Sequence, residues 1–179
     1  MDLHAEAGIT PVPTLTTDRL TLRTFRRSDA PVVIDALNHW DVTQWLTRVP
    51  FPYAQADFDW FLAEMCSYPD DRVWAIDRDG AMVGTVSLTA ELGYWLHPAH
   101  HGQGIMSEAA RAVCAWHFAQ GHATLRSGFH VGNLPSSRLL YRLGFENDHI
   151  AQGTETARGD RVDIQKVVLT HARWTACRG

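Results

Sequence analysis

Apolar and polar positions along the chain follow two spacings, and each spacing predicts one type of element. From Leu20, the stretch LTLRTF alternates apolar and polar residues, which is typical of a half-buried strand. The following SDAPVVIDAL places Ser28 and Pro31 where a helix begins. Over Asp57–Cys66 apolar residues recur every three or four positions, so a second helix is expected there.

The middle of the chain has the pattern of an antiparallel meander. Two apolar runs in VWAIDRDGAMVGTVSL meet at Asp79 and Gly80, which suit a hairpin turn because glycine accepts a positive φ. A third strand is predicted over Glu91–Leu96. The loop HPAHHGQG then leads into a helix that starts near Ile105 and stops at Gly121. Strand, glycine loop and helix therefore follow one another directly.

The rest of the chain continues the alternation of strands and helices. We expect a strand over Leu125–Val131, a helix over Asn133–Leu143 and a final strand over Val162–Leu169 after a turn at Arg158–Asp160. Residues 1–15 hold two prolines and no periodicity, and they predict a flexible arm or an added edge segment. Residues 16–179 contain no linker. The chain is thus expected to be a single domain of mixed α and β structure.

Composition excludes several classes of function. The 179 residues carry a net charge of −4, and Lys166 is the only lysine among 16 basic residues. Such a chain offers no broad cationic surface for nucleic acid. It also contains no apolar run long enough to span a bilayer and no basic leader before an apolar stretch. We therefore expect a cytoplasmic protein with no membrane or nucleic-acid partner.

Cysteines and histidines give no sign of a metal centre. Cys66, Cys114 and Cys177 are far apart and odd in number, so we expect them to be reduced and structural. Ten histidines are present, and three of them cluster in HPAHH. That cluster lacks helical spacing and neighbouring carboxylates, so no metal is predicted.

The glycine loop is the first candidate for chemistry. Gly102 and Gly104 lie where a strand turns into a helix, so backbone N–H groups there can converge on an anion. GxxxxGK[ST] is absent, and Ser107 stands at the third glycine of a dinucleotide fingerprint. Taken alone, the loop fits either a phosphate cradle or a tight turn with no ligand.

Five motifs in order resemble one known family. TDRLTLRTFRRSDA, FPYAQAD, GYWL with GQGIMSEA, NxxS with LGF, and VDIQKVVLTHARW are similar to the RimJ/RimL-type branch of the Gcn5-related N-acetyltransferases (GNAT), over about Thr16–Trp174. The resemblance implies a GNAT fold and acetyl-CoA as the donor. In that fold a central mixed, mostly antiparallel twisted sheet of about six or seven strands is flanked by helices. A splay is then expected between the strands at 91–96 and 125–131.

The resemblance also implies which residues hold the cofactor. The family's pyrophosphate loop falls on Ala99–Gly104, with Ala99 in place of the usual Arg or Gln. Trp95 and Leu96 would lie along the pantetheine arm, with the Leu96 N–H facing the thioester oxygen, and Asn133 would touch that arm. The remaining cofactor positions in and after the loop are His101, Gly102, Gln103, Gly104, Ile105 and Met106.

Acetyl transfer to an amine needs a base and a proton donor for the departing thiolate. Glu91 resembles the Glu that precedes GYWL in relatives and is the predicted base. Its rivals are the loop histidines, because imidazole titrates near neutrality; they are His97, His100 and His101. As proton donor the resemblance implies Ser136. The family's general-acid Tyr would fall on Leu140, and Tyr141 is one residue further.

The acceptor amine is left with alternatives. Resemblance to RimL favours a protein N-terminus, whose α-amine is partly neutral near pH 7. A small amine or antibiotic is the second hypothesis, and a non-catalytic acyl-CoA-binding module is the third. A homodimer is plausible from the resemblance. The small-amine hypothesis predicts a pocket lined by carboxylates, for which the candidates are Asp35, Asp41, Asp57 and Asp59. The candidate aromatics for an acceptor groove are Trp40, Trp45, Trp60 and Phe61.

Overall fold

One mixed sheet forms the centre of the protein in the computed structural model, which describes residues 9–47, 49–155, 157 and 159–177. Its eight strands within these residues are Leu15–Thr16 (β1), Leu20–Arg23 (β2), Arg72–Arg78 (β3), Ala81–Leu88 (β4), Leu92–Leu96 (β5), Thr124–His130 (β6), Glu146–Glu155 (β7) and Arg161–Thr170 (β8). They lie in the order β1-β2-β3-β4-β5-β6-β8-β7. The predicted class, a mostly antiparallel sheet flanked by helices, is confirmed.

Helices cover both faces of the sheet. They are Ala30–Leu37 (α1), Trp40–Thr43 (α2), Gln55–Trp60 (α3), Ile105–Ala119 (α4), Leu134–Leu143 (α5) and His171–Ala176 (α6). Side chains alternate along β3, so that Trp74 packs with α4 on one face and Ala75 packs with α1 and α3 on the other. The two resulting core clusters fix the sheet between two helical layers. None of the helices described has the length and apolar character needed to cross a membrane.

The sheet opens between β5 and β6. All neighbouring strands are antiparallel except this pair, which is parallel and pairs only at Leu92 and Ser127. The Ser127 hydroxyl donates to the Leu92 carbonyl at 2.8 Å and closes the narrow end. Helix α4 forms most of the crossover that a parallel connection requires. The predicted splay between the two strands is therefore present.

Strand β7 is the main feature that the hydrophobic pattern missed, and it raises the strand number above the six or seven expected. Its sequence ENDHIAQGTE has no apolar alternation, and residues Glu146–Ile150 are exposed. The strand is held at the sheet edge by pairing with β8. Backbone hydrogen bonds, rather than apolar burial, therefore define it. The turn predicted at 158–160 lies partly outside the described residues.

Other expected boundaries also shift. The helix predicted over Asp57–Cys66 begins earlier as α3 and continues as a π-helical turn over Phe61–Met65. Residues 1–8 of the expected arm lie outside the described residues. From residue 9 the chain is an added edge segment, because the Thr10 N–H donates to the Cys66 carbonyl at 2.8 Å and the Trp74 indole donates to the Pro13 carbonyl at 2.8 Å. Of the three cysteines, Cys177 is exposed, whereas the other two are buried.

Candidate active site

Beyond Leu92, strand β5 has one edge bound to β4 and one edge open. The His97 N–H donates to the Val83 carbonyl of β4 at 2.9 Å, and the Thr85↔Trp95 pair continues the same register. Successive residues of a strand direct their backbone groups to opposite edges, so the N–H groups of Tyr94 and Leu96 face the opening. An extended ligand with amide groups can pair with this edge as an extra strand would.

The glycine loop provides a cradle of backbone amides at the wide end of the opening. Gly102 and Gly104 have φ of +73° and +74°, a backbone region that residues other than glycine rarely adopt. A Cβ placed on Gly102 would meet no atom within 4 Å, so the space in front of it is open. Within the described chain the N–H groups of residues 102–107 have no hydrogen-bond partner. Residues 104–107 are the N-cap and the first three residues of α4, where the helix dipole favours an anion.

Side chains from other elements hold this loop in place. Arg19 pairs with Glu108 of α4 at 2.7 Å and donates to the Gln103 carbonyl at 3.2 Å. The Gln103 side chain accepts from Arg78 at 2.5 Å and donates to the Ala99 carbonyl. Burial opposes the ionisation of Glu108, but hydrogen bonds from Thr17 and Arg19 outweigh it and lower the Glu108 pKa. Arg19 belongs to the first of the five motifs, TDRLTLRTFRRSDA, but no role was predicted for this side chain.

His101 and Gln103 were predicted to bind the cofactor, and the structure gives both side chains a place within the loop. His101 Nε2 lies 2.8 Å from the Leu96 carbonyl, and the His101 backbone N–H donates to the Pro98 carbonyl. The imidazole thus occupies the Leu96 carbonyl, while the Leu96 N–H stays directed to the opening. The predicted positions Trp95, Ile105 and Met106 all line the cleft described below.

Ser136 lies beside β5 and is bound to a tyrosine that sequence analysis missed. The Tyr94 and Ser136 hydroxyls are 2.8 Å apart, and the Ser136 N–H donates to Asn133 Oδ1 at the start of α5. Burial raises the pKa of Tyr94 to about 12, so its hydroxyl stays protonated. The rival Tyr141 instead donates to Asn147 at 2.7 Å and does not line the cleft. Ser136 and Tyr94 therefore both line the cleft, whereas Tyr141 does not.

Glu91 lines the same cleft but is already paired. Lys166, the chain's one lysine, lies on β8, and its Nζ is 2.7 Å from Glu91 Oε2. Both side chains are partly exposed, at 34% for Glu91 and 25% for Lys166. The carboxylate thus contributes negative charge to the cleft while one of its oxygens is occupied.

Of the three loop histidines, His97 contacts Asp35, whereas His100 and His101 line the cleft. His97 Nε2 is 2.7 Å from Asp35, and its Nδ1 accepts from the Ala99 N–H. The bond from His97 lowers the Asp35 pKa, and burial together with His97 lowers the His100 pKa. Ligand atoms of Asp35, His39 and His97 lie within 4.8 Å of one another. Because His97 Nδ1 accepts a hydrogen bond, the hydrogen of neutral His97 is on Nε2. A cation would have to bind at that same Nε2 and displace the hydrogen.

A cleft of about 1510 Å³ joins the open edge of β5 to the helices on the α1–α3 side. Three of the predicted aromatics, Trp45, Trp60 and Phe61, line it, whereas Trp40 packs against Phe51 instead. Of the predicted carboxylates in the early helices, Asp41 and Asp57 line it, and Asp35 and Asp59 do not. His130, which the sequence did not single out, also lines it.

A family comparison agrees with this arrangement. Residues 19–146 match the model of the acetyltransferase (GNAT) domain. The chain belongs to the GNAT acetyltransferase family. The open strand edge and the free amide cradle fit the donor of that family, acetyl-CoA, so the enzyme class and the donor expected from the motifs are supported by both fold and family.

Individual relatives are similar over parts or all of the chain. The probable N-acetyltransferase YjcK of Bacillus subtilis is 36% identical over 51% of this chain, and the match spans 56% of YjcK, just over half its length. The ribosomal-protein-serine acetyltransferase of Escherichia coli is 33% identical over 41% of this chain and 46% of that protein. The solved structure of RimL, a ribosomal L7/L12 α-N-protein acetyltransferase bound to coenzyme A, superposes with a TM-score of 0.75 at 21% identity, covering 90% of this chain and 98% of RimL. The name of the Escherichia coli relative agrees with the branch that the motifs indicated, and the superposition on RimL shows the same fold.

Proposed function

We propose that this acetyltransferase modifies the α-amino group of a protein N-terminus. The observation that carries the proposal is the size of the cleft, about 1510 Å³, beside the open edge of β5. Typical small-molecule pockets measure roughly 300–1,000 Å³. Part of this space belongs to the donor, because Leu96, Gly102 and Ser136 line it, and we assign the remainder to an extended peptide. The relatives that are ribosomal-protein acetyltransferases by name support the same class of acceptor.

An α-amine suits the charges of the cleft. Its pKa is roughly 8, against about 10.4 for lysine, so about a tenth of it is neutral at pH 7. Three carboxylates that would attract the cationic form line the cleft, Asp41, Asp57 and Glu91, together with four basic side chains, Arg126, Arg138, Arg142 and Lys166. Because Lys166 holds one oxygen of Glu91, we assign Glu91, the base predicted from sequence, to binding the incoming ammonium group.

On the donor side, backbone groups carry most of the proposed binding. Acetyl-CoA supplies an acetyl group activated as a thioester. The amides of Gly102, Gly104 and Met106 would bind the pyrophosphate, and the Leu96 N–H would donate to the thioester carbonyl oxygen as negative charge develops on it. Ser136, oriented by Tyr94 and by the Asn133 cap, would donate a proton to the departing sulfur.

A small amine is the second candidate acceptor, because Asp41 and Asp57 do line the cleft. Asp57 also accepts a hydrogen bond from the Ala54 N–H at the start of α3, so only part of its charge is available to a ligand. This reading predicts tight binding of polyamines or aminoglycosides, which an N-terminal acetyltransferase does not need.

Intact-mass spectrometry tests the proposal directly. Short peptides with free N-termini are incubated with the enzyme and acetyl-CoA, and a mass increase of one acetyl group is mapped to the α-amine or to a side chain. Acetylation of the α-amine is expected. Acetylation of small amines without modification of any peptide would contradict the proposal. Homodimer formation and location in the cell stay predictions from the sequence.

A further inference from the structure

His130 carries a buried nitrogen with no partner. Its side chain is 5% exposed, and in the part of the chain that the structure describes, Nε2 makes no hydrogen bond. Native folds satisfy nearly all buried polar atoms, so an unsatisfied one at the wall of a cleft calls for a ligand or a reaction.

The position of His130 relates it to the open edge of β5. Counting from the Leu92↔Ser127 pair, residue 130 lies three residues along β6 and Trp95 lies three residues along β5, so the two stand level across the opening. The His130 ring packs edge-on against Trp45, two residues beyond the end of α2, at 6.2 Å between centroids. Trp95 packs with the cluster of α1 and α3 on that same face.

Ser136 and Tyr94 lie on the opposite face, where Tyr94 packs against the cluster of α4 and α5. The opening is thus flanked by a hydroxyl pair on one face and an imidazole on the other. An amine bound on the α1–α3 side of the opening would share the cleft with His130.

We propose that His130 Nε2 is the base that accepts the proton of the acceptor amine. The ammonium gives one proton to Nε2, and the neutral nitrogen attacks the thioester carbonyl carbon. The nitrogen–carbon bond forms and the carbon–sulfur bond breaks. Ser136 gives its proton to the sulfur and regains one from the nitrogen. The products are the amide and the thiol, and His130 releases its extra proton to water.

The charges around His130 suit this role. Burial lowers its pKa, so the ring is neutral and able to accept a proton at pH 7. The charged side chains that share the cleft are Asp41 of α2, Asp57 of α3, Glu91 before β5, Arg126 of β6, Arg138 and Arg142 of α5, and Lys166 of β8, and the histidines that share it are His100 and His101 of the glycine loop. Lys166 is paired with Glu91, and Arg126 is paired with Asp148.

The test is the pH dependence of kcat for His130→Gln and His130→Asn, measured as acetyl-CoA thiol release at saturating amine. The inference concerns any amine acceptor, so a peptide pool and a small-amine pool are both used. We expect kcat to fall about 100-fold, with KM for the amine nearly unchanged and the acidic limb of the kcat profile lost. Unchanged affinity for acetyl-CoA confirms that the variants fold. His117→Gln is the matched control, because burial lowers the His117 pKa too but His117 does not line the cleft.

Wild-type kcat and an intact acidic limb in both His130 variants would overturn the inference. A second measurement follows the His130 imidazole by NMR in the wild-type enzyme. Its titration midpoint should lie below that of an ordinary histidine and should move when an amine binds; a ring insensitive to the amine would also overturn the role. Turnover of small amines alone would reject the peptide proposal. The comparison of the His130 variants with the wild-type enzyme would then still be made with the small amines. Silence of the wild-type enzyme with both pools would contradict both.

Discussion

The donor and acceptor sides of the cleft are built differently. On the donor side, the described polar side chains around the glycine loop are bound to one another or to the backbone, as in Arg19–Glu108 and His101–Leu96, and the backbone amides of residues 102–107 are left for a ligand. On the acceptor side, among the residues that the structure describes, His130 Nε2 has no partner, and Trp60 is 60% exposed. The donor has one fixed shape and contacts backbone groups, whereas the acceptor contacts side chains. This division explains how one fold keeps its donor while acceptors vary.

The largest expected effect breaks the donor side. Gly104→Val forces a branched side chain into φ +74° and places it against Arg19, which holds the loop. We expect acetyl-CoA affinity to fall at least about 100-fold by calorimetry, from lost amide contacts and strain of about 1–3 kcal/mol. Gly121→Val, at φ +88° just beyond the other end of α4, is the control and should keep its affinity. Equal losses in both variants, or none in Gly104→Val, would contradict the assignment of the loop.

The next effect removes the proton donor. Ser136→Ala is expected to lower kcat about 100-fold, the low end of general-acid contributions, while acetyl-CoA binding stays near the wild-type value. Steady-state kinetics of thiol release measures it. Ser137→Ala is the neighbouring control, because its hydroxyl donates to the Leu134 carbonyl within α5. A wild-type kcat in Ser136→Ala would show that the thiolate leaves without it.

A smaller effect separates charge from proton transfer on the acceptor side. Glu91→Gln should raise KM for the amine about 5-fold, near 1 kcal/mol, and leave the acidic limb of kcat in place, because we assign the proton to His130. Glu64→Gln, an exposed residue outside the cleft, should change neither value. Loss of the acidic limb in Glu91→Gln would return the role of base to Glu91.

The smallest effect concerns stability. The bond from His97 lowers the Asp35 pKa, so the ionised carboxylate stabilises the fold at any pH above 3.8, the ordinary pKa of the group. This stabilisation is lost as the pH falls through the lowered pKa of Asp35. Asp35→Asn should therefore lower Tm by about 1 °C at pH 7 and by nothing at pH 2. Asp59→Asn is the exposed control. A Tm difference that persists at pH 2 would contradict this origin.

Local patterns could predict most of the fold, because they report local burial and turn chemistry. The hairpin at Asp79, the glycine loop and the Asn133 cap each carry their own signal within a few residues. Strand β7 carries none, since it forms by pairing with β8 and buries few apolar groups.

The candidate site was predicted unevenly for the same reason. Backbone positions such as Gly102 and Leu96 follow from a motif, and the structure places them at the cleft. Contacts such as Glu91–Lys166, 75 residues apart, and Tyr94–Ser136, 42 apart, depend on how strands are ordered in the sheet. His130 is one of ten histidines in an ordinary strand pattern, and only its burial without a partner distinguishes it.

The most direct test of the account is acetyl-CoA-dependent thiol release with two pools of acceptors side by side: short peptides with free N-termini, and small amines including polyamines and aminoglycosides. A wide acceptor side and a donor side made of backbone predict that kcat/KM is higher for the peptides and that blocking their α-amine abolishes release. Release with small amines alone would contradict the proposed acceptor and make the cleft a small-molecule site.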